Sequence, residues 1–317
     1  MTDLRDLLAV RPGKTSLAGI DPRSTPGLPD DQAIRSDPKE WSRNQVEAIG
    51  RDLAAYQERL FAAAKEGDSR ERILLVLQAM DCGGKDGAVR TVARGMSPAG
   101  INAVSFGPPT EEERRHDFLW RIHRALPPAG NVGIFNRSHY EDVLVARVHE
   151  LVPKDVWSQR YDQINAFEAE LAADRLTMIK VMLHISKSEQ KKRLLARLDD
   201  PTKHWKYSPG DLAERALWDD YQRAYEDGVN RCSTTAAMWY VVPADRKWYR
   251  NWAVATLLKE TFADMTPSIR RRPSTWRRNA QSLSPPRRAT RHGRRCRVKP
   301  HRPRRPAMTA IPGTPYS

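Results

Sequence analysis

Three stretches of this 317-residue chain bring together residue types suited to moving phosphoryl groups. The first, Ile73-Leu-Leu-Val-Leu-Gln-Ala-Met-Asp-Cys-Gly-Gly-Lys-Asp86, runs from an apolar segment through a glycine turn into helix-forming residues. In such a turn, backbone N–H groups at the helix start converge on phosphate oxygens, and a lysine adds a point charge. The pattern GxxxxGK[ST] is met in part. Gly84 and Lys85 match, Gly83 precedes them, Ala79 replaces the first glycine, and Asp86 stands where a hydroxyl would meet magnesium. A lysine after two glycines also occurs at helix starts that bind nothing. Asp81 is the unusual residue, because a carboxylate beside bound phosphate is repelled unless it faces a metal ion or a moving proton.

The second stretch is Gly130-Asn-Val-Gly-Ile-Phe-Asn-Arg-Ser-His-Tyr-Glu-Asp142. Its apolar part ends in Asn136-Arg137-Ser138, at the kind of strand end where parallel sheets open onto a ligand crevice. There Arg137 presents a planar fork to phosphoryl oxygens. Glu141 and Asp142 suit either magnesium or the positive end of the following helix, and His139 reads as structural. The third stretch is Gln190-Lys-Lys-Arg-Leu-Leu-Ala-Arg-Leu-Asp-Asp-Pro-Thr-Lys-His-Trp-Lys206. Arg193 and Arg197 share one helical face, and Lys203 and Lys206 extend the cationic surface beyond Pro201. This is either a solvated face or a lid. Trp205, Trp218 and Tyr221 would pack it as a lid, and a lid over phosphates needs cations.

The elements that must position these residues are short apolar runs alternating with helical periodicity. The runs are 73–77, 101–106, 132–135, 178–185 and 238–242, and their continuous apolar character suits parallel strands covered on both faces. Helices are expected at 40–65, 87–94, 111–125, 141–149, 154–173, 188–198, 211–229 and 249–263. Alternation of this kind predicts a three-layer α/β/α sandwich around a parallel sheet. Residues 1–35, rich in Pro, Gly and Asp, read as an irregular N-terminal arm. The three cysteines form no CxxC pair. The N-terminus lacks a signal-peptide core, and no apolar stretch is long enough for a bilayer. A cytoplasmic protein without membrane contact is expected.

The formal charge of +15 is confined to one end. Residues 267–317 hold 14 Arg and one Lys with no acid, leaving 39 basic and 39 acidic residues in 1–266. A general nucleic-acid surface therefore gains no support from the charge total. With nine of the 23 prolines and no apolar periodicity, this basic tail is expected to be disordered. It is either a tether for anionic polymers or an unselected extension.

The chain resembles the polyphosphate kinase 2 family. QAMDCGGKDG, GNVGIFNRSHYEDVLVARV, RLDDPTKHWKYSPGD and VVPADRKWYRNWAV look like that family in the right order, and the resemblance covers about Ile20 to Met265. It implies a P-loop kinase domain over 36–266, similar to thymidylate kinase, with a helical lid around 188–222. It implies reversible phosphate transfer between inorganic polyphosphate and nucleotides, dependent on magnesium, with manganese as an alternative. Carried over by residue, Lys85 with the Gly83 and Gly84 amides holds the transferring phosphates. Asp81 orients the acceptor phosphate and binds the metal with Glu141, and Arg137 stabilises charge on the moving group. Asp86, Asn136, Arg193, Arg197, Lys203 and Lys206 contact the nucleotide or the polyphosphate. Asn136 stands where other subgroups carry Asp, and Glu141 where they carry Asn. The run Phe-Asn-Arg-Ser-His-Tyr-Glu-Asp is similar to the subgroup that phosphorylates both AMP and ADP. A homo-oligomer is expected.

Two rivals stand beside this assignment. One is a nucleoside-monophosphate kinase using ATP as donor, against which the missing hydroxyl after Lys85 and the long cationic lid both speak. The other is a nucleic-acid-binding protein acting through the arginine tail. That tail also has a genetic reading, since family members close with a stretch similar to Met-Asp-Pro-Gln-Tyr-Pro-Pro. One permitted codon set for Thr266 to Arg270, ACC-CCC-AGT-ATC-CGC, becomes GAC-CCC-CAG-TAT-CCG when a single G is restored before it. A one-base deletion near Met265 accounts for the abrupt change in composition.

Overall fold

The computed structural model describes residues 3–265. The expectations for 267–317, their disorder and the tether or frameshift that would explain them, lie outside the described residues. Two short helices, α1 (Leu4–Leu8) and α2 (Gln32–Ser36), precede the long α3 (Pro38–Lys65). The order then runs β1 (Arg72–Ala79), α4 (Lys85–Ala93), β2 (Ile101–Ser105), α5 (Glu111–Arg114), α6 (Trp120–Ala125) and β3 (Val132–Asn136). It continues through α7 (Glu141–Val148), α8 (Lys154–Ala173), β4 (Leu176–His184), α9 (Lys187–Leu198) and a 3₁₀ turn (Pro201–Lys206). The described fold closes with α10 (Gly210–Ala216), α11 (Trp218–Arg231), β5 (Ala237–Pro243) and α12 (Lys247–Met265).

The five strands form one parallel sheet in the order β2-β3-β1-β4-β5. Alternate residues of β1 enter different cores. Ile73, Leu75 and Leu77 pack with α3, α4 and α12, whereas Leu74 and Val76 pack with Phe167 and Leu171 of α8. Burial on both faces is why β1, β3 and β4 read as largely apolar runs, whereas β2, expected to be covered in the same way, lies at the sheet edge with none of its residues buried. None of the described helices is long and apolar enough to cross a membrane.

The N-terminal segment is more ordered than its composition predicts. Asp3 caps α1 by accepting from the Arg5 amide, and Glu260 accepts from the Leu4 amide at 3.1 Å. Leu4, Leu8, Val10 and Leu17 enter the main core. Val10 donates to the Trp239 carbonyl at 2.8 Å, so the segment runs against the edge strand β5, shielding it as exposed sheet edges generally require. The helix expected over 111–125 is two: a Thr110–Glu113 capping box opens a single turn that ends at Arg114, and α6 begins at Trp120.

Lys180, inside the apolar run of β4, has no exposed side-chain surface. It donates to Glu168 Oε2 at 2.5 Å, the Tyr140 hydroxyl at 2.8 Å and the Cys232 carbonyl at 2.6 Å. Burial opposes ionisation of Glu168, but Lys180 and His139 hold its carboxyl below the ordinary range. Lys180→Met removes the cation from that buried carboxylate and leaves it only the Tyr140 hydroxyl and His139 on Oε1, so it should cost about 3–5 kcal/mol in urea unfolding. Adding Glu168→Gln should recover part of the loss; a single mutant as stable as wild type would show that the pair is not holding α8 to the sheet.

Candidate active site

Register brings the two expected ligand loops together. Leu77 of β1 pairs with Asn136 of β3, and the Arg137 amide donates to the Leu77 carbonyl at 3.0 Å. Both loops contain left-handed backbone, with φ of 62° at Cys82, 100° at Gly84 and 67° at Arg137. Such conformations cost about 1–3 kcal/mol each at non-glycine residues and concentrate at functional turns. A Cβ on Gly83 would lie 2.3 Å from that of Ala79. The Gly83 amide is spent inside the turn, on the Met80 carbonyl at 2.9 Å. That amide is therefore not free for the phosphate contact expected of it. The amides of Gly84, Lys85 and Asp86 have no acceptor among the described residues, and they lie at the start of α4 where an anion satisfies orphan donors.

Lys85 Nζ donates to the Ala79 carbonyl at 2.9 Å. Burial and Arg137 push its pKa down, against the pull of Asp81, Glu141 and Asp86. Arg137 Nη2 donates to Asp81 Oδ1 at 3.3 Å. Burial opposes its charge, yet Glu141 and Asp81 hold Arg137 above the ordinary arginine range. Burial raises the Glu141 carboxyl against the pull of Arg137 and Lys85. Asp81, Lys85, Arg137 and Glu141 thus share one electrostatic centre.

Other expected residues take different parts. Asp86 accepts from Asn136 Nδ2 at 2.9 Å and Lys206 Nζ at 3.1 Å. An ionised carboxylate repels phosphate, so its visible work is to hold Asn136 and Lys206 beside the turn. Arg193 also departs from expectation. Nη1 donates to the Cys82 and Gly83 carbonyls at 2.9 and 3.3 Å, and Nη2 to those of Ala244 and Asp245 at 2.6 and 3.0 Å. Nε donates to Glu189 Oε1 at 2.8 Å, which leaves Arg193 clamping the glycine turn with no fork free for polyphosphate. Arg197 binds the Lys206 carbonyl at 3.0 Å and lies 3.6 Å from Asp211. Lys203 pairs with Asp200.

Asp142 is held by Arg121 and Arg160, at 3.5 and 3.7 Å. His139 is buried against Glu168, as its structural reading predicts. Trp218 and Tyr221 are buried, but Trp205 is 78% exposed and does not pack the lid as expected.

These loops open into a cleft of about 1830 Å³ in which cationic side chains outnumber acidic ones. The formally neutral total for 1–266 concealed this segregation. Sequence reasoning also passed over Arg90, Arg94, Lys247 and Arg250, which line the same cleft. Arg250 had a readable signal, being a lone cation among Tyr249, Trp252, Ala253 and Val254, which are all buried. No three His, Cys, Asp or Glu side chains gather into a metal cage among the described residues. Asp81 lines the cleft and Glu141 lies within electrostatic reach of it; magnesium commonly takes one or two carboxylates and completes its shell with water and substrate phosphates.

Residues 38–270 match the family model "Polyphosphate kinase 2 (PPK2)". An AMP/ADP-polyphosphate phosphotransferase of Meiothermus ruber is 49% identical over 234 residues, covering 74% of this chain and 86% of that relative. An ADP-polyphosphate phosphotransferase of Rhodopseudomonas palustris is 43% identical over 241 residues, 72% of this chain and 80% of its own. The crystal structure of polyphosphate kinase 2 from Arthrobacter aurescens TC1 superposes with a TM-score of 0.83 at 46% identity, covering 89% of this chain and 97% of that one. The parallel α/β architecture is thus shared with that crystal structure. The chain belongs to the polyphosphate kinase 2 family.

Proposed function

We propose that the chain transfers phosphate between inorganic polyphosphate and AMP or ADP, with residues 36–266 as the catalytic unit and 188–222 as its lid. The observation that carries this is the convergence of Lys85, Arg137, Asp81 and Glu141 at adjoining strand ends. Lys85 would leave the Ala79 carbonyl for a phosphate oxygen, while the Gly84, Lys85 and Asp86 amides receive the neighbouring oxygens. Arg137 would place its fork on the charge that develops as the phosphoryl group moves. The attacking phosphate oxygen is already anionic, so positioning and electrostatics dominate over proton transfer. Magnesium or manganese, when bound, would supply charge neutralisation across the phosphates, with Asp81 and Glu141 as its protein ligands. Arg197, Lys203 and Lys206 would close over the phosphate chain once it displaces their present acceptors. Self-association and a cytoplasmic setting belong to the same proposal; Cys82 and Cys232 are free buried thiols, consistent with a reducing compartment.

The test is nucleotide formation with polyphosphate as sole phosphoryl donor. Purified protein with magnesium should convert AMP to ADP and ADP to ATP, followed by anion-exchange chromatography. Absence of both products, alongside ATP-dependent phosphorylation of AMP, would replace this function with that of a nucleoside-monophosphate kinase.

A further inference from the structure

Arg250 is 4% exposed, yet its guanidinium is packed on the glycine turn. A Cβ on Gly84 would lie 1.8 Å from its Nη1, and one on Gly87 would lie 2.6 Å from its Nη2. The missing side chains at Gly84 and Gly87 make the cradle in which it lies. Nε and Nη2 donate to Asn251 Oδ1 at 3.1 and 2.7 Å. Nη1 has no acceptor, and the guanidinium has no carboxylate partner, among the described residues.

Burial, Arg193 and the helix start beneath it all work against the charge of Arg250. Gly84 is the N-cap of α4, where the helix dipole is positive. Arg193 is the neighbouring charge, and burial together with Arg193 lowers the Arg250 pKa to about 10, which leaves it charged at neutral pH. Lys247 is pushed down by burial and by the same two arginines. A buried cation held only by a neutral amide oxygen, with no counter-charge, is unfavourable, and the donors of Arg193 are already occupied by Glu189 and four carbonyls. An anion arriving in the cleft that Arg250 lines would supply what the protein withholds.

We propose that Arg250 binds the condensed phosphate chain seated on the glycine turn, its Nη1 donating to a phosphate oxygen over Gly84. Arg43, Arg246 and Lys247 line the same cleft, and such a succession of cations suits a repeating polyanion better than the one or two phosphates of AMP or ADP. The assignment rests on polyphosphate being the donor, and its test separates the two.

Full-length wild type, Arg250→Gln and Arg250→Lys should be melted alone, with sodium tripolyphosphate and with AMP, and assayed for transfer. Without ligand, Arg250→Gln should melt at or above wild type, because an uncompensated cation has been removed. Its melting temperature should no longer rise with tripolyphosphate. Its KM for polyphosphate should increase about 10–100-fold, the worth of one charge-assisted hydrogen bond, with the KM for AMP within about twofold of wild type. Arg250→Lys keeps the charge without the fork and should fall between, and it carries the test if the Gln variant does not fold. A lower ligand-free melting temperature with an unchanged KM for polyphosphate makes Arg250 structural and overturns the proposal. Loss of the AMP response with intact tripolyphosphate binding overturns it as well. If wild type transfers nothing from polyphosphate but its tripolyphosphate response still requires Arg250, the assignment stands and the transfer reaction fails.

Discussion

Lys85→Ala is expected to lower phosphate transfer about 10²–10³-fold, the loss that follows removal of one preorganised donor from a reacting centre. The variant should remain folded. In the free protein Lys85 reaches only the Ala79 carbonyl, and burial and Arg137 both work against its charge. Removing it therefore relieves repulsion as much as it removes a contact, and the melting temperature should stay at or slightly above wild type. The damage should appear in turnover and in the melting response to tripolyphosphate. A variant retaining more than about a tenth of the wild-type rate would falsify the assignment of this turn as the phosphate cradle, given the several kcal/mol such contacts supply.

Substitution of Arg137 should be costlier still. An arginine aimed at the charge of a transferring phosphoryl group contributes about 10³–10⁵ in turnover where it has been removed from comparable sites. Here its left-handed backbone and its pairing with Asp81 at 3.3 Å hold it beside Lys85 before any ligand arrives. Arg137→Ala should therefore reduce kcat about 10³-fold or more, with smaller changes in KM for either substrate. Arg137→Lys should recover little, because an ammonium on a flexible stem cannot reproduce a planar fork. Wild-type kcat in Arg137→Lys would place the residue among binding charges and leave stabilisation of the moving group to others.

What could be read along the chain was whatever short-range chemistry records. The apolar runs announced five strands, and β1 to β5 formed where those runs lie, but burial on both faces holds for the central strands and not for the edge strand β2. The Gly83-Gly84-Lys85 turn and the polar end of the 132–136 strand were legible because a glycine turn and a change of polarity are local events. The limits of local reading appear at α1, where Pro and Gly nearby masked a leucine pair four residues apart that packs into the core.

Tertiary structure alone decided which groups face one another. Arg193 and Arg197 look equivalent on a helical face, yet only Arg193 meets four backbone carbonyls, 51 to 111 residues away. Asp86 acquired Lys206 from 120 residues along the chain, and Arg250 came to rest on Gly84 from the far end of the domain. Helical and strand periodicity report which side of an element is buried, through the local spacing of apolar residues. They do not report which acceptors or charges lie opposite, because those are brought there by sheet order and helix packing. The sequence by itself therefore determined the class of fold and the chemistry of the phosphate turn, while the assignment of each cation to clamp or substrate depended on the carbonyls and charges that folding placed around it.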